Sequence, residues 1–287
     1  MISLFVFIFG LAVGSFLNAF IYRLEVHDGL TSSKNGKRDL LSALVKGRSQ
    51  CPLCAHTLAW QDLIPVLSFI LLQGKCRHCR AKISFQYPLV ELAIGFLFVG
   101  IFYSIMPWFG QGMESLAEPS FLKAVELLYL WTIASFLTVI FVYDLKHFLI
   151  PDKILYPAIG LVLFWQVFLN FEIGENLTKL SFFQMLFAGL GVAAFFFSIY
   201  LFSKGKAMGF GDVKLALFMG FFLSWPNILV ALAVAFGTGA IVGLALICLK
   251  RKTMRSEVPF GPFLVLGTLV AFLWGGQAGN FYMNFMI

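Results

Sequence analysis

Long apolar stretches, separated by short polar ones, make up most of this chain. Most run for roughly 20 residues with few or no charges, the length a helix needs to cross the hydrocarbon core of a bilayer. The pattern predicts membrane spans at residues 2–21, 85–106, 122–143, 154–171, 181–202, 213–225, 228–249 and 260–280. We therefore predict an all-α polytopic membrane protein with about eight transmembrane helices.

The composition supports this prediction. Of 287 residues, 60% are hydrophobic and only 12% are charged, whereas soluble domains carry about 25% charged residues. The net charge of +7 could indicate a nucleic-acid partner. However, the basic residues are concentrated in a few stretches between apolar segments, which is typical of topology signals. The sequence therefore predicts a lipid bilayer, and no nucleic acid, as a partner.

The same basic residues predict the orientation. Alternate crossings put four stretches on one side, residues 23–84, 144–153, 203–212 and 250–259. These stretches hold all but three of the 21 Lys and Arg residues, the exceptions being Lys123, Lys179 and Lys214. Because positive charge is retained in the cytoplasm, this side is predicted to be cytoplasmic. No basic segment precedes the first span, which favours a retained helix over a cleaved signal peptide.

The predicted span at residues 213–225 is short for a bilayer. A re-entrant segment is the alternative. If Lys206 and Lys250 are both cytoplasmic, an even number of crossings must separate them, and Trp225-Pro226-Asn227 can form the intervening turn. The sequence therefore favours a full crossing here.

Two Cys-x-x-Cys pairs lie in the segment after the first span. Cys51 with Cys54 and Cys76 with Cys79 have nearly the spacing of a structural zinc site, and four thiolates complete a tetrahedral Zn²⁺ shell. Reduced thiols or two disulfides are the alternatives, although disulfides are disfavoured in the cytoplasm. We predict three regions: a first helix at 1–22, a cytoplasmic zinc-binding insert at 23–84, and a transmembrane core at 85–287.

Two aspartates lie at the edges of apolar spans. Asp144 ends one span and Asp212 begins another, and an ionisable group at such a position usually has a functional role. If the two carboxylates meet, they can share a proton, as in an aspartyl protease. This predicts Asp144 and Asp212 as the catalytic pair. Asp152 has a simpler explanation as a helix N-cap, which is also the structural alternative for Asp212.

Smaller signals surround these acids. Gly209 and Gly211 flank Asp212 closely enough to let a substrate backbone approach the carboxylate, or they serve only to form a tight turn. Glu91, in the second span, either lies in the bundle near a substrate amine or faces cytoplasmic water or an arginine.

These residues, in this order, resemble the bacterial type IV prepilin peptidases, also called leader peptidase/N-methyltransferases. The resemblance covers nearly the whole chain. Besides the two cysteine pairs, it rests on Gly14-Ser15-Phe16-Leu17-Asn18, Ile21-Tyr22-Arg23-Leu24, Tyr87-Pro88 with Glu91, Asp144-Leu145-Lys146, Ile150-Pro151-Asp152, Gly209-Phe210-Gly211-Asp212 with Lys214, and Pro259-Phe260-Gly261-Pro262.

The resemblance implies an intramembrane aspartyl endopeptidase of the bacterial inner membrane, active at its cytoplasmic face. It would remove the basic leader from prepilins or pseudopilins, for pili or type II secretion. It would then methylate the new N-terminal amine with S-adenosylmethionine, and Glu91 is the candidate residue for this methyl transfer. A peptidase without methyltransferase activity is one alternative, and an ion- or proton-coupled transporter is another. The oligomeric state is not predicted.

Overall fold

The structure is a computed structural model that describes residues 1–30, 49–106, 121–173, 177–206, 208–250 and 258–286. Residues 31–48 of the predicted insert and 251–257 of the last predicted cytoplasmic stretch lie outside the described residues. Eight long helices occupy the positions of the eight predicted spans: α1 (Ile2–His27), α3 (Gln86–Ile105), α4 (Phe121–His147), α5 (Asp152–Ile173), α6 (Leu177–Ser203), α7 (Phe210–Leu223), α8 (Asn227–Cys248) and α9 (Gly261–Met286). The prediction of an all-helical polytopic protein is confirmed.

Among the described residues, five helical segments are long and apolar enough to cross a membrane, namely Ile2–His27, Gln86–Ile105, Phe121–His147, Phe182–Ser203 and Asn227–Cys248. Gly261–Gly275 forms a shorter apolar helix. The protein is therefore a multi-pass membrane protein.

The chain divides into two compact units, Met1–Ser135 and Phe136–Ile287. In the first unit, α1 packs closely along α3. A Cβ atom on Gly14 would lie 2.7 Å from the Cα of Glu91, and one on Gly10 would lie 2.8 Å from the Cα of Gly95. Small residues spaced four apart let membrane helices approach this closely. The pairing of α1 with α3 therefore depends on Gly10 and Gly14.

The insert between α1 and α3 is compact in its described part. A 3-10 helix at Trp60–Leu63 precedes a short helix, α2 (Leu67–Leu71). The side chain of Asp62 accepts hydrogen bonds from the backbone N–H of Ala59 and from Arg77. The Arg77 contact, at 2.8 Å, ties the 3-10 helix to the second cysteine pair. Polar contacts of this kind hold the insert together because its apolar core is small.

In the second unit, α7 lies at the centre and contacts α5, α6, α8 and α9. It begins at Phe210, three residues before the predicted span, and its 14 residues extend about 21 Å, less than the ~30 Å hydrocarbon core. Leu215, Ala216, Phe218 and Met219 are fully buried. Because other helices surround α7, its length is not set by contact with lipid.

Candidate active site

Asp144 lies in the last turn of α4 and is almost fully buried, with 4% of its surface exposed. The backbone N–H of Gly261, the first residue of α9, donates a hydrogen bond to its carboxylate. A Cβ atom on Gly261 would lie only 2.5 Å from Asp144 Oδ2. The approach of α9 to this carboxylate therefore requires a glycine at residue 261.

Asp212 lies in the first turn of α7 and is 9% exposed. Gly209, rather than Asp212, is the N-cap of the helix. The Asp212 carboxylate accepts a hydrogen bond from the backbone N–H of Gly209 at 3.2 Å, and the Asp212 N–H donates to the Gly209 carbonyl at 3.2 Å. This reciprocal pair, in which a side chain in the first turn binds the N-cap amide, fixes the position of the Asp212 carboxylate.

The fold brings the two carboxylates together from helices separated by more than 60 residues of chain. The segment that contacts Asp144 and the segment that carries Asp212 pack against the same side chain, Ile150. Ile150 packs beside the two glycines, since a Cβ atom on Gly211 would lie 3.1 Å from Ile150 Cβ and one on Gly261 would lie 3.4 Å from Ile150 Cδ1. The two glycine-containing segments therefore meet at one isoleucine, with a buried aspartate next to each.

Asp152 is the first residue of α5 and lies near this pair in sequence but has a different environment. Its side chain is 51% exposed and forms an ion pair of 2.5 Å with Lys214 Nζ. The same ammonium group lies 5.4 Å from the ring centroid of Tyr156 and 5.2 Å from that of Phe210. Asp152 thus joins the start of α5 to α7 at the protein surface.

The four cysteines of the insert form one cluster. Their sulfur atoms all lie within 4.8 Å of one another, and Cys51 Sγ is 3.8 Å from Cys79 Sγ. Zn–S bonds of about 2.3 Å in a tetrahedron place the sulfurs about 3.8 Å apart, so these residues fit a zinc ion. Backbone N–H groups of Cys79 and His78 lower the pKa of the Cys76 thiol to about 7, which favours the thiolate that a metal requires.

The two cysteine pairs adopt the same backbone conformation. Cys51 N–H donates to the His56 carbonyl at 3.0 Å, and Cys76 N–H donates to the Ala81 carbonyl at 2.8 Å. The residue after the second cysteine of each pair, Ala55 or Arg80, has a positive φ of 56° or 57°. Equivalent turns presenting two sulfurs each are typical of structural metal sites.

Glu91 lies on α3, in the first unit, and is 6% exposed. Its Oε2 accepts a hydrogen bond of 2.8 Å from the backbone N–H of Val66, and its carboxylate also interacts with Ser15. The neighbouring Asn18 donates to the Tyr87 carbonyl at 3.0 Å, while its side-chain oxygen is buried without a hydrogen-bond partner among the described residues. Glu91 is therefore an interior group, and not one that simply faces water.

Sequence reasoning missed three residues that the structure adds to these sites. Gly261 was named only within the family motif, although its position between two prolines at the start of a span indicated an unusual backbone conformation. Asn18 and Glu25 are 2% and 4% exposed. Their spacing along α1 from Ser15 and Tyr22 indicated one polar helix face within an apolar span.

Comparisons with known proteins agree with this organisation. The bacterial peptidase A24 N-terminal domain matches residues 8–105, and the type IV leader peptidase family matches residues 131–244. A prepilin leader peptidase/N-methyltransferase of Aeromonas hydrophila is 32% identical over 98% of this chain and 94% of its own length. The chain belongs to the type IV leader peptidase family.

Other relatives align over a similar extent. Prepilin leader peptidase/N-methyltransferases of Legionella pneumophila and Pseudomonas aeruginosa are 32% and 29% identical, over 97% and 96% of this chain and 93% and 91% of their own lengths. No solved structure gives a significant match. The resemblance found in the sequence is confirmed, and the protein is an enzyme of a peptidase family.

Proposed function

We propose that this enzyme removes the leader peptide from prepilins or pseudopilins, with Asp144 and Asp212 as its catalytic pair. The observation that carries the proposal is two buried aspartates on segments that meet at Ile150, each carboxylate held by the backbone N–H of a glycine. A buried pair of this kind serves no evident purpose in packing, because burying charge is costly without a paired cation.

The mechanism follows from the pair having one proton between them. The deprotonated carboxylate takes a proton from a water molecule as the water oxygen attacks the scissile carbonyl carbon, while the protonated carboxyl donates a hydrogen bond to the carbonyl oxygen. Collapse of the tetrahedral intermediate breaks the C–N bond. The leaving amine takes a proton from the carboxyl group that had accepted the proton of the attacking water, which restores the starting protonation of the pair. Two interacting carboxyls titrate as a unit, so neither role belongs permanently to one residue.

We assign substrate binding to Gly209 and Gly211, with different support for each. A Cβ atom on Gly209 would lie 3.7 Å from Asp212 Oδ2, so the absence of a side chain leaves the approach to this carboxylate open. Gly211 has a second role, since it makes room for Ile150. Gly209 is therefore the better candidate for contact with the substrate backbone.

The side of the membrane on which this reaction takes place is inferred from the basic residues near the two aspartates. Lys146, Lys153, Lys204 and Lys206 lie in the polar stretches next to the two aspartates in sequence, and such basic stretches are retained in the cytoplasm. We therefore place the catalytic pair at the cytoplasmic face of the bacterial inner membrane. A substrate with an apolar helix and a basic leader would present its junction at this level.

In the insert, Cys51, Cys54, Cys76 and Cys79 would hold one structural Zn²⁺. A closed four-cysteine shell leaves no position for substrate, so the ion would stabilise the insert rather than take part in the reaction. We expect loss of zinc to impair methylation or stability more than peptide cleavage.

We further propose that the enzyme methylates the new N-terminal amine, with Glu91 as the group that orients this amine and accepts its proton. S-adenosylmethionine would supply the methyl group. The buried Glu91 carboxylate and the buried Asn18 side-chain oxygen suit positively charged groups, and this donor carries a sulfonium and an ammonium. Since a carboxylate can accept about four hydrogen bonds, Glu91 can bind Val66, Ser15 and an amine together.

Cleavage is tested by incubating purified protein with a prepilin and following leader loss on a gel. We expect Asp144→Asn and Asp212→Asn to abolish leader loss while the protein still accumulates in the membrane. Asp152→Asn is the matched control, because it alters a nearby aspartate that is half exposed, and it should retain cleavage. Normal processing by either of the first two variants, or an equally inactive Asp152→Asn, would overturn the assignment.

Methylation is tested separately, by mass spectrometry of the same product. Glu91→Gln should give cleaved but unmethylated substrate. Unchanged methylation would remove Glu91 from this role and leave the peptidase assignment intact. Absence of methyl groups from the wild-type product would identify a peptidase without methyltransferase activity.

A further inference from the structure

The insert has an exposed apolar surface that the peptidase proposal leaves unexplained. It consists of Leu67, Ile70 and Leu71 of α2, together with Phe85 and Leu89 at the start of α3. These side chains are 58%, 62%, 79%, 73% and 63% exposed. Phe69 of α2 lies against Phe85, with ring centroids 5.3 Å apart, so the two groups are adjacent. Large apolar side chains clustered in this way usually mark an interaction surface. We call these five residues the insert surface.

A buried hydrogen bond fixes the position of this surface along the axis of α3. Val66, the residue before α2, donates its N–H to Glu91 Oε2 at 2.8 Å. Glu91 is the sixth residue of α3, about 8 Å along the helix axis from its start. Because α3 is long and apolar enough to cross a membrane, α2 begins beside the first two turns of a membrane span.

The insert surface also continues into the face that α3 presents to its surroundings. Leu89, Phe96 and Tyr103 are spaced by seven residues and are 63%, 66% and 47% exposed. Residues seven apart lie on one side of a helix. An exposed apolar stripe along a membrane span faces lipid. The insert surface therefore extends this lipid-facing stripe at the N-terminal end of α3, where the insert joins the helix.

Basic residues border the insert surface. Lys75 and Lys82 lie opposite each other in an antiparallel bridge, and Arg80 is exposed nearby. Like charges directly opposite each other are destabilising, and a negative charge bound between them relieves the repulsion. Asp62, the nearby acid, pairs with Arg77. Among the described residues, no ion pair of Lys75, Lys82 or Arg80 is found, and apolar side chains next to such basic ones match the boundary between acyl chains and anionic headgroups.

We propose that the insert surface docks on the membrane, with Leu67, Ile70 and Leu71 in the acyl boundary and Lys75 and Lys82 on anionic headgroups. The zinc-binding insert is then an interfacial element held at fixed depth, instead of a domain free in the cytoplasm. This inference does not depend on the peptidase mechanism.

The direct test uses a photo-crosslinking amino acid, benzoylphenylalanine, at position 71 in the full-length protein. The protein is reconstituted in nanodiscs of phosphatidylethanolamine and phosphatidylglycerol, irradiated, and analysed by mass spectrometry for lipid adducts. Position 53 is the matched control, since Leu53 is 71% exposed and belongs to the insert but lies outside the insert surface.

We expect lipid adducts at position 71 in clear excess over position 53. Replacing Lys75 or Lys82 with Gln should reduce the share of phosphatidylglycerol among the adducts by up to about fivefold per lysine. Zinc content measured on each variant establishes that the insert is folded. Equal adducts at both positions, or crosslinking at position 71 mainly to a second copy or to prepilin, would overturn the proposal.

Discussion

Gly261→Ala tests whether the position of the Asp144 carboxylate limits catalysis. The new Cβ atom would lie 2.5 Å from Asp144 Oδ2 and 3.1 Å from its Cγ. Restoring an ordinary separation of about 3.5 Å moves the carboxylate oxygen by about 1 Å. The backbone N–H at residue 261 is kept, so the variant changes the position of Asp144 without deleting its hydrogen-bond donor.

A displacement of about 1 Å in a reacting group can lower the rate about 100-fold, which is about 2.7 kcal/mol in activation free energy. We therefore expect kcat for prepilin cleavage to fall by this order in Gly261→Ala, with a much smaller change in KM. The protein should still fold, because the group that must move is a side chain.

The assay is steady-state cleavage of a purified prepilin in detergent, with KM and kcat determined separately. Gly160→Ala is the matched control, because a Cβ atom there meets no atom within 4 Å, and its kcat should equal that of the wild type. If Gly261→Ala retained a kcat within about twofold of wild type, the argument from misplacement would be refuted.

The remaining predictions concern zinc binding, helix packing and the surface ion pair. Cys76→Ser should remove the bound zinc, about one ion per chain in the wild type, as measured by metal analysis. Ala55→Gly should slow zinc release to a chelator by up to about fivefold, since it relieves a positive φ worth about 1 kcal/mol; an unchanged rate would contradict this. Gly14→Leu should lower the thermal stability in detergent by separating α1 from α3, whereas Gly100→Leu, in open space, should not. Asp152→Asn should change the unfolding free energy by at most about 1 kcal/mol, as for other exposed ion pairs.

The helices were predictable because apolar length alone defines a membrane span. All eight predicted spans correspond to helices. The start of α7 differs from the prediction because Phe210 and Gly211 are also helical, and the Asp212 carboxylate, in the first turn, binds the N–H of the N-cap residue Gly209. The grouping of four cysteines also follows from spacing, since each Cys-x-x-Cys presents two sulfurs on one turn.

Contacts between distant segments could not be predicted from local pattern. The approach of Gly261 to Asp144 joins residues more than 110 positions apart, and the hydrogen bond from Val66 to Glu91 depends on how the insert folds back on α3. The signal for Gly261 was a glycine between prolines, which indicates an unusual backbone but not its partner. The contact of Ile150 with both glycine segments had no signal in the sequence.

Asp144 and Asp212 are proposed to act as one catalytic unit. The most direct test is the single-turnover cleavage rate of a prepilin by Asp144→Asn, Asp212→Asn and the double variant, at matched protein and zinc content. Residues that act as a unit are non-additive, so either single substitution should remove as much activity as both together. Independent roles would give a different result. Each single variant would keep substantial cleavage, and the rate of the double variant would fall by the product of the two single-variant factors. That result would show that the two aspartates do not act as a unit.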